Sequence, residues 1–595
     1  MSDTSSDSAA SPETLMRSSR RRYVFRFVVV LFPFACLPLG NWIFYLLDIG
    51  LETNLVVPLP ESSVSEWHVL NGDVDAAYWD MGDLSGPESR PFLLPKPTDL
   101  LRVVVVGAST VEGFPWPTEL SFSRQIELTL QEQHPQRKVE VLNCGIVGIT
   151  SHQVLDLVRQ SVSCEPDVIV VYSGHNEFYG PGGVSSKASS ALTWLRRYRL
   201  PQTFMRAITP KPDPTKELAQ LLLQDLAIPL GGAAFKTSTA RYRENLEQMV
   251  AVGNANNIPI VLCSVACNLS DQSPLQSISS AHIPKSVAEQ RDELLSSAAL
   301  LIRENQFREA LALTDHASEL DVKYSLTHYR RGQCLAGLNE RTAAAAAFSR
   351  ARDLDGCRFR APSVFGRIVH ETATNSGTEF VDCESLLNTN SSCGAAGNDM
   401  FFEHVHLTQK ASRIVANAIA RVIVEDVEKA AWSESKVLNS ARREEALDLR
   451  DVDKLMSIFL SHDMLSSPPF NAAPDVEQQQ AALKRRYDDV HARLSDSMRG
   501  AFDEVMNSAN SSNILEKMAA ALHYYKHNSE ADELLRCNVR RRPWEPERYL
   551  LLAEFLLRTA QNRESQEFLE LGLSRVCDGW KNQLQTELDA RMLPQ

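Results

Sequence analysis

The sequence contains little glycine or proline, only 26 and 29 residues among 595, while 44% of its residues are hydrophobic. This composition excludes a disordered or collagen-like chain, and the length excludes a small disulfide scaffold. The sequence also lacks an excess of basic residues, since 61 Lys and Arg stand against 75 Asp and Glu. The resulting formal charge of -14 argues against a nucleic-acid-binding protein, and we expect no nucleic-acid partner. At roughly 150 residues per domain, we expect about four structural units.

Residues 27–47 form a run of 21 uncharged residues, which would be about 31 Å long as a helix. Five arginines precede the run, and the next basic residue after it is Arg90. The positive-inside rule therefore predicts a cytoplasmic tail at 1–26, a single transmembrane anchor at 27–47, and a periplasmic body outside the cytoplasmic membrane. A cleaved signal peptide and a buried core helix are the alternatives. No small-x-small cleavage site closes the run, which favours the uncleaved anchor.

The eleven cysteines include no CxxC pair, which is the commonest sign of a structural zinc site. Cys383 and Cys393 flank a loop rich in Asn and Ser, where a disulfide would be useful in a periplasmic protein, but the spacing does not determine the pairing. A zinc site built from Cys263, Cys267 and the two histidines of an EHVH motif is disfavoured, because those histidines have a better explanation below. We therefore expect no metal and no cofactor.

The middle of the sequence alternates between buried strands and helices. Residues 48–98 are rich in proline and lack periodicity, which predicts an extended linker. Apolar, β-branched runs then occur at 101–106, 139–142, 168–172 and 258–263, with helical patterns such as 121–133 and 153–163 between them. This alternation predicts an α/β fold with a parallel sheet, in which the carboxyl ends of all strands meet at one edge.

Four polar motifs stand at these strand ends or follow the last of them: GAST (107–110), NCGIVG (143–148), GHNE (174–177) and EHVH (403–406). In this order they resemble the conserved blocks of the SGNH/GDSL hydrolases, over residues 99–286 and 360–430. The resemblance implies a three-layer sandwich around a parallel sheet. It also implies Ser109 as nucleophile, His406 as base and Glu403 as the acid, with an oxyanion hole made by the Ser109 backbone NH, Gly148 and Asn176.

These residue types suit acyl chemistry, because a serine hydroxyl becomes nucleophilic when an imidazole oriented by a carboxylate removes its proton. The motifs depart from the family at two places. Ala108 replaces an aspartate without a chemical role, and Glu403 replaces the catalytic aspartate. The extra methylene of Glu403 predicts a weaker hold on His406, so that Glu403→Asp would even improve the rate. The GxSxG elbow of the α/β-hydrolases is absent.

Each of these residues also has an ordinary structural interpretation. Ser109 could be a helix N-cap and Gly148 a turn glycine, while His175 and His404 are expected to be packing or hydrogen-bonding histidines. A degenerate site without activity is a further alternative. The order of the four motifs along the chain favours the catalytic interpretation.

A different periodicity begins near residue 287. A shift of 34 residues superposes Ala310, Ala317 and Leu320 on Ala344, Ala351 and Leu354, and 34 residues is the tetratricopeptide (TPR) period. We therefore predict a TPR-like helical insertion at 287–359, with an ordinary helical hairpin as the alternative. Residues 431–595 are expected to be helical, with a weaker repeat pair at 513–575. The arginines at 540–542 are expected to be a solvated helix end.

The anchor, the strings GHNEFYG and FFEHVHLT and the repeats together resemble a bacterial group of membrane-bound SGNH proteins with TPR repeats. The resemblance implies a serine esterase that hydrolyses a small O-acyl group from a carbohydrate or lipid outside the membrane. An O-acyltransferase acting on an envelope glycan is the first alternative. A non-catalytic scaffold, whose repeats bind a protein partner, is the second.

Overall fold

The computed structural model describes residues 38–59, 66–78, 86–180, 194–208, 227–507 and 513–592. The predicted cytoplasmic tail and residues 27–37 of the predicted membrane span lie outside these ranges, and residues 38–46 of that span are helical. In the part of the chain that the structure describes, no helix combines the length and apolar character needed to cross a membrane.

The region predicted to be an extended linker contains a small antiparallel sheet. Its strands are β1 (Val56–Pro58), β2 (Trp67–Leu70) and β3 (Pro91–Leu93), in the order β1-β2-β3. Leu55, Leu70 and Phe92 are buried in the same hydrophobic core as the main sheet. The prediction of a linker at 48–98 needs this correction, because strands of three or four residues are too short to produce a recognisable alternation.

The main sheet has five parallel strands in the order β5-β4-β6-β7-β8. Their bounds are β4 Leu100–Gly107, β5 Lys138–Gly145, β6 Val168–Tyr172, β7 Ile260–Cys263 and β8 Glu379–Val381. Every residue of β4 and β6 is buried, as expected for central strands covered on both faces. The predicted parallel α/β sheet is confirmed, and its strand ends lie where the sequence motifs begin.

Two groups of helices pack around this sheet. The helices of this part of the chain are α1 Ser109–Glu112, α2 Phe122–Gln133, α3 Ser151–Ser161, α4 Arg199–Ile208, α5 Ala233–Asn256, α10 Ser363–Ser376, α11 Cys383–Thr389 and α12 Gln409–Val422. The first group contains α2 and α12, and the second contains α3, α5 and α10.

Four consecutive helices lie between β7 and α10: α6 Lys285–Arg303, α7 Phe307–Leu320, α8 Ser325–Gly337 and α9 Arg341–Leu354. Each packs against the next. Helices α7 and α9 begin and end 34 residues apart, and α6 and α8 end 34 residues apart. The paired alanines 310 and 344 are both fully buried, so the sequence period coincides with a structural one.

The C-terminal region is helical, as predicted. Its helices are α13 Ser440–Ala446, α14 Asp451–Ser466, α15 Val476–His491, α16 Asp496–Asn507, α17 Ile514–Tyr524, α18 Asn528–Arg541, α19 Pro546–Arg558, α20 Asn562–Arg575 and α21 Lys581–Met592. Helices α18 and α20 again begin and end 34 residues apart.

Buried ion pairs attach the C-terminal region to the rest of the molecule. Arg330 of the insertion donates two hydrogen bonds of 2.6 and 2.8 Å to Asp475. Within the predicted solvated helix end, Arg540 pairs with Asp448, Arg541 with Asp453 and Arg542 with Glu119. The arginine run is therefore neutralised by carboxylates, and Arg542 links it to the loop after α1.

No disulfide joins cysteines within the described ranges. The suggested Cys383–Cys393 bond is not formed: Cys383 is fully buried at the start of α11, and the Cys393 thiol contacts the carbonyl of Ala395 at 3.2 Å.

Candidate active site

Ser109 lies at the carboxyl end of β4, an interior strand between β5 and β6. The turn before it is tight, because a Cβ on Gly107 would lie 2.2 Å from the carbonyl oxygen of Tyr172 and 2.3 Å from Cγ2 of Val111. Helix α1 begins directly at Ser109. The geometry leaves the Ser109 side chain partly accessible at the sheet edge.

His406 reaches Ser109 from a loop almost 300 residues later in the chain. Its Nε2 lies 2.8 Å from Oγ of Ser109. The indole of Trp116 donates a hydrogen bond of 3.0 Å to the carbonyl of Leu407, and the ring of Phe114 contacts the His406 ring edge-on, with centroids 4.7 Å apart. Residues from the loop after Ser109 thus hold the imidazole in place.

Glu403 is completely buried beneath His406. Its Oε1 accepts a hydrogen bond of 3.1 Å from the backbone NH of His406 and a second one from Nδ1 of the same residue. Its Oε2 accepts hydrogen bonds from the backbone NH groups of His404 and Val405. The extra methylene of Glu403 led us to expect weaker contact with His406. Instead, the carboxylate accepts hydrogen bonds from the backbone of its own loop.

The ionisation of Glu403 fixes the tautomer of His406. Burial would raise the pKa of the Glu403 carboxyl, but charge interactions and hydrogen bonds with His404 and His406 outweigh it and place the pKa well below its usual range. An ionised carboxylate can only accept, so Nδ1 of His406 carries the proton. Nε2 is then free to accept the hydrogen of the Ser109 hydroxyl.

The predicted oxyanion donors come from the loops after the neighbouring strands β5 and β6. Gly148 has a φ of +75°, a conformation that favours glycine. Nδ2 of Asn176 donates a hydrogen bond of 3.1 Å to the carbonyl of Ile149, which leaves its second hydrogen available. Among the described residues, the backbone NH groups of Ser109 and Gly148 have no hydrogen-bond partner. The oxyanion role of these three groups stays a prediction.

The buried carboxylate of Glu177 joins the loops after β5 and β6. No sequence pattern had singled it out. Glu177 accepts hydrogen bonds of 2.6 and 2.7 Å from the backbone NH and the hydroxyl of Ser151, at the start of α3. Burial raises the pKa of Glu177 to about 7. A Cβ on Gly180 would lie 2.6 Å from the carbonyl of Gly148, so the loops are in contact at a second place. The GHNE motif contained Glu177 but gave no sign of its partner.

The two other histidines of the motifs are buried and hydrogen-bonded, as expected. Nε2 of His175 lies 3.1 Å from the carbonyl of Ala266, and the backbone NH of Ala361 donates to its Nδ1. Burial lowers the pKa of His175 to about 3, which keeps it neutral. His404 has a more direct role, because its Nδ1 contacts Oε2 of Glu403. Burial also lowers the pKa of His404.

Glu403, His404 and His406 are the residues of the described ranges whose ligand atoms are close enough to share a metal ion, all within 4.8 Å of one another. Cys263 and Cys267 do not belong to this group.

A cavity of about 330 Å³ lies next to Phe114. Its walls come from the loop after α1, including Phe114 and Trp116, and from the C-terminal helices α14, α17 and α18, including Met456 and Leu515. The C-terminal region therefore shapes the space beside Phe114, whose ring contacts His406, and no sequence motif indicated this.

No family model and no curated protein sequence matches this chain. Solved structures with a similar fold are an α/β hydrolase from the metagenome of Lake Arreo (10% identity, TM-score 0.27), the lipase/acylhydrolase of Enterococcus faecalis (13%, 0.25) and a GDSL-like lipase of Bacteroides thetaiotaomicron (14%, 0.24). These matches cover 54, 56 and 56% of this chain and 94, 99 and 89% of the other chains. TM-scores this low do not indicate an activity, so the proposed function rests on the geometry of the site.

Proposed function

We propose that this protein is a membrane-anchored, periplasmic serine esterase that hydrolyses an O-acyl ester of a carbohydrate or lipid. The observation that carries this proposal is the continuous hydrogen-bond chain from Oγ of Ser109 through His406 to Glu403. Ser109 follows β4, whereas Glu403 and His406 lie almost 300 residues later in the chain. They meet at the edge of the sheet where ligands of open α/β proteins bind. Such an arrangement is what nucleophilic acyl transfer requires.

In the proposed reaction, Oγ of Ser109 attacks the acyl carbonyl while Nε2 of His406 takes the hydroxyl proton. Glu403 stabilises the imidazolium, and the oxyanion is held by the NH groups of Ser109 and Gly148 and by Asn176. His406 then protonates the departing alcohol, which leaves an acyl-serine. A water molecule, deprotonated by the same imidazole, attacks this ester, releases the carboxylic acid and restores Ser109.

We propose TPR-like units at 287–359 and 513–575. The 34-residue offset between corresponding helix bounds supports this assignment in both places. In this proposal the repeats recruit a protein partner or the acylated polymer, and the C-terminal pair also forms a wall of the cavity beside Phe114.

The test is a comparison of the full-length wild type with Ser109→Ala and His406→Ala, using p-nitrophenyl acetate as substrate and a fluorophosphonate probe. We expect the wild type to turn over the ester and to be labelled at Ser109, and both variants to lose turnover. Circular dichroism controls for folding. Absence of turnover and labelling in a folded wild type would contradict the esterase and favour the scaffold.

The transferase alternative uses the same residues, so a separate measurement is needed. Added polyol acceptors should leave the yield of free carboxylic acid unchanged if water is the acceptor. Diversion of the acyl group onto the polyol would identify the protein as an acyltransferase instead.

A further inference from the structure

Exposed hydrophobic side chains are concentrated in two short segments. Of the 18 large hydrophobic residues that are exposed in the described ranges, ten lie within residues 39–49 and 194–204. Leu39, Trp42 and Leu46 belong to the first segment, and Trp194 and Phe204 to the second. Between 55 and 64% of each of these five residues is exposed. Monomeric soluble proteins seldom leave such a group in water, and apolar patches usually mark a binding surface.

The two segments form one unit although 150 residues separate them in sequence. A Cβ on Gly40 would lie 2.8 Å from Cδ2 of Leu200, so the helix at 38–46 rests directly on α4. Arg199 donates a hydrogen bond of 2.9 Å to Asp48 and lies over the ring of Tyr45. The backbone NH of Leu51 donates to the side chain of Gln202 at 2.8 Å.

This packing uses one side of each helix and leaves the hydrophobic residues on the other. Asn41 and Gly40 face α4, whereas Leu39, Trp42 and Leu46 follow the i, i+3, i+7 spacing of a separate, outward face. In α4, Gln202 is buried and Phe204 is exposed. Trp194 and Tyr198, just before α4, are exposed as well. We name the exposed residues Leu39, Trp42, Leu46, Trp194, Tyr198 and Phe204 the apolar foot.

We propose that the apolar foot lies in the interface of the lipid bilayer, so that α4 is a second membrane contact of the hydrolase domain. This inference rests on the membrane anchor of the proposed function. The helix at 38–46 is the second half of the uncharged run 27–47, so this surface lies at the end of the proposed span that is nearest the hydrolase domain. A second copy or a protein partner would not account for that continuity.

The composition of the surface also favours lipid. Trp42, Tyr45, Trp194 and Tyr198 are the amphipathic aromatic residues that concentrate at membrane interfaces. Arg206 is exposed on the same helix as Phe204, and a basic residue beside an apolar helical face is typical of helices that lie on anionic lipid surfaces.

A rigid link connects the apolar foot to the sheet domain. Arg197 forms an ion pair with Asp156 of α3, and the backbone NH of Leu55 donates to Gln160 of the same helix at 2.9 Å. Helix α3 begins at Ser151, whose backbone NH donates a hydrogen bond to Glu177. Two contacts with the bilayer, the span and α4, would therefore fix the orientation of the active site above the membrane, whereas a single span would leave the domain free to turn.

The experiment measures the lipid contact of Trp194 in the full-length protein reconstituted in phosphatidylcholine/phosphatidylglycerol vesicles. The emission of Trp194 is obtained as the difference between the wild type and Trp194→Phe, a variant that keeps the surface apolar and should retain esterase activity. Replacing the lipids by their brominated forms should reduce this emission about twofold. The matched control is Trp544→Phe, because Trp544 lies against Arg90, away from the apolar foot, and its emission should not change.

Two results would overturn the proposal. Quenching of Trp194 by acrylamide but not by bromolipid would place the apolar foot in water, and protection from both quenchers would indicate a second copy or a protein partner. Sodium carbonate extraction tests the anchor separately: extraction of a wild type whose Trp194 is still quenched by bromolipid would contradict the span and support the surface contact. The p-nitrophenyl acetate assay reports on the esterase independently of both.

Discussion

Oε1 of Glu403 accepts two hydrogen bonds from a single residue, one from the backbone NH and one from Nδ1 of His406. The three-residue spacing between them lets the carboxylate fold back over its own loop. Because the same oxygen binds both the backbone and the ring, it fixes the position and the orientation of the imidazole together.

The first prediction concerns Glu403, and it reverses the expectation that aspartate would serve as well or better. Glu403→Asp should lower kcat by about 10², because the shorter side chain displaces the carboxylate by about one bond length. Glu403→Gln should lower kcat by about 10³ to 10⁴, because its amide can donate to Nδ1 and favour the wrong tautomer. Steady-state kinetics with p-nitrophenyl acetate measure both. A faster Glu403→Asp enzyme would contradict the role of the backbone contacts.

The second prediction concerns His404, which contacts the other oxygen of Glu403. His404→Phe removes this contact, so more of the negative charge of Glu403 acts on His406 and the acid limb of the pH profile of kcat/KM should move to higher pH. His370→Phe is the matched control, because His370 is exposed and contacts Phe380 instead. If the acid limb is unchanged while kcat falls, His404 contributes only through packing.

The central strands could be predicted from sequence because they depend on local patterns, namely short β-branched runs that end at glycines or directly before polar motifs. The roles of Ser109, Gly148 and Asn176 came from the resemblance to a family and stay predictions. His406 was placed by the EHVH motif. Its contact with Ser109 depends on the folding of nearly 300 intervening residues. Only the resemblance to a family could suggest that contact.

Contacts between distant segments could not be predicted in this way. Glu177 and Ser151 belong to different motifs, and nothing in either motif indicates a shared hydrogen bond. The strands β1 to β3 are too short to show alternation, and the position of the C-terminal helices against Phe114 and Trp116 follows from side-chain packing over long sequence distances. Tertiary burial, rather than local propensity, decides these features.

The third prediction distinguishes the role of Asn176 from the roles of the nucleophile Ser109 and the base His406. Asn176→Ala removes one oxyanion donor and should lower kcat by about 10² to 10³ while KM changes little, because the donor acts on charge that develops in the transition state. Asn256→Ala is the control, since its side chain only bonds the carbonyl of Val252 on the surface. An equal loss of kcat in both variants, or a loss confined to KM, would argue against the oxyanion role.

The fourth prediction tests whether the cavity beside Phe114 receives part of the substrate. Met456→Trp would fill space in this cavity of about 330 Å³, so we expect turnover of p-nitrophenyl octanoate to fall by about tenfold relative to p-nitrophenyl acetate. The ratio of the two kcat/KM values is the measurement, because a general folding defect would lower both. Leu551→Trp, at an exposed site on α19, should leave the ratio unchanged. If the ratio also stays constant in Met456→Trp, the acyl chain binds elsewhere.

The last prediction concerns the pH dependence of stability through Glu177. Burial raises the pKa of this carboxyl from 4.5 to about 7, so the folded protein binds its proton more tightly than the unfolded chain does. This contribution to stability is fully present below pH 4.5 and is lost as the pH rises through 7, by about 3 kcal/mol. Glu177→Gln cannot ionise. The difference between its melting temperature and that of the wild type, measured by calorimetry, should therefore shift in favour of the variant from pH 4.5 to about pH 7 and level off above it, even though the amide loses one acceptor toward Ser151. Glu319→Gln, at an exposed position of α7, should give a constant difference. A constant difference for Glu177→Gln would mean that the carboxylate is ionised throughout this range and that its hydrogen bonds with Ser151 outweigh the cost of burial.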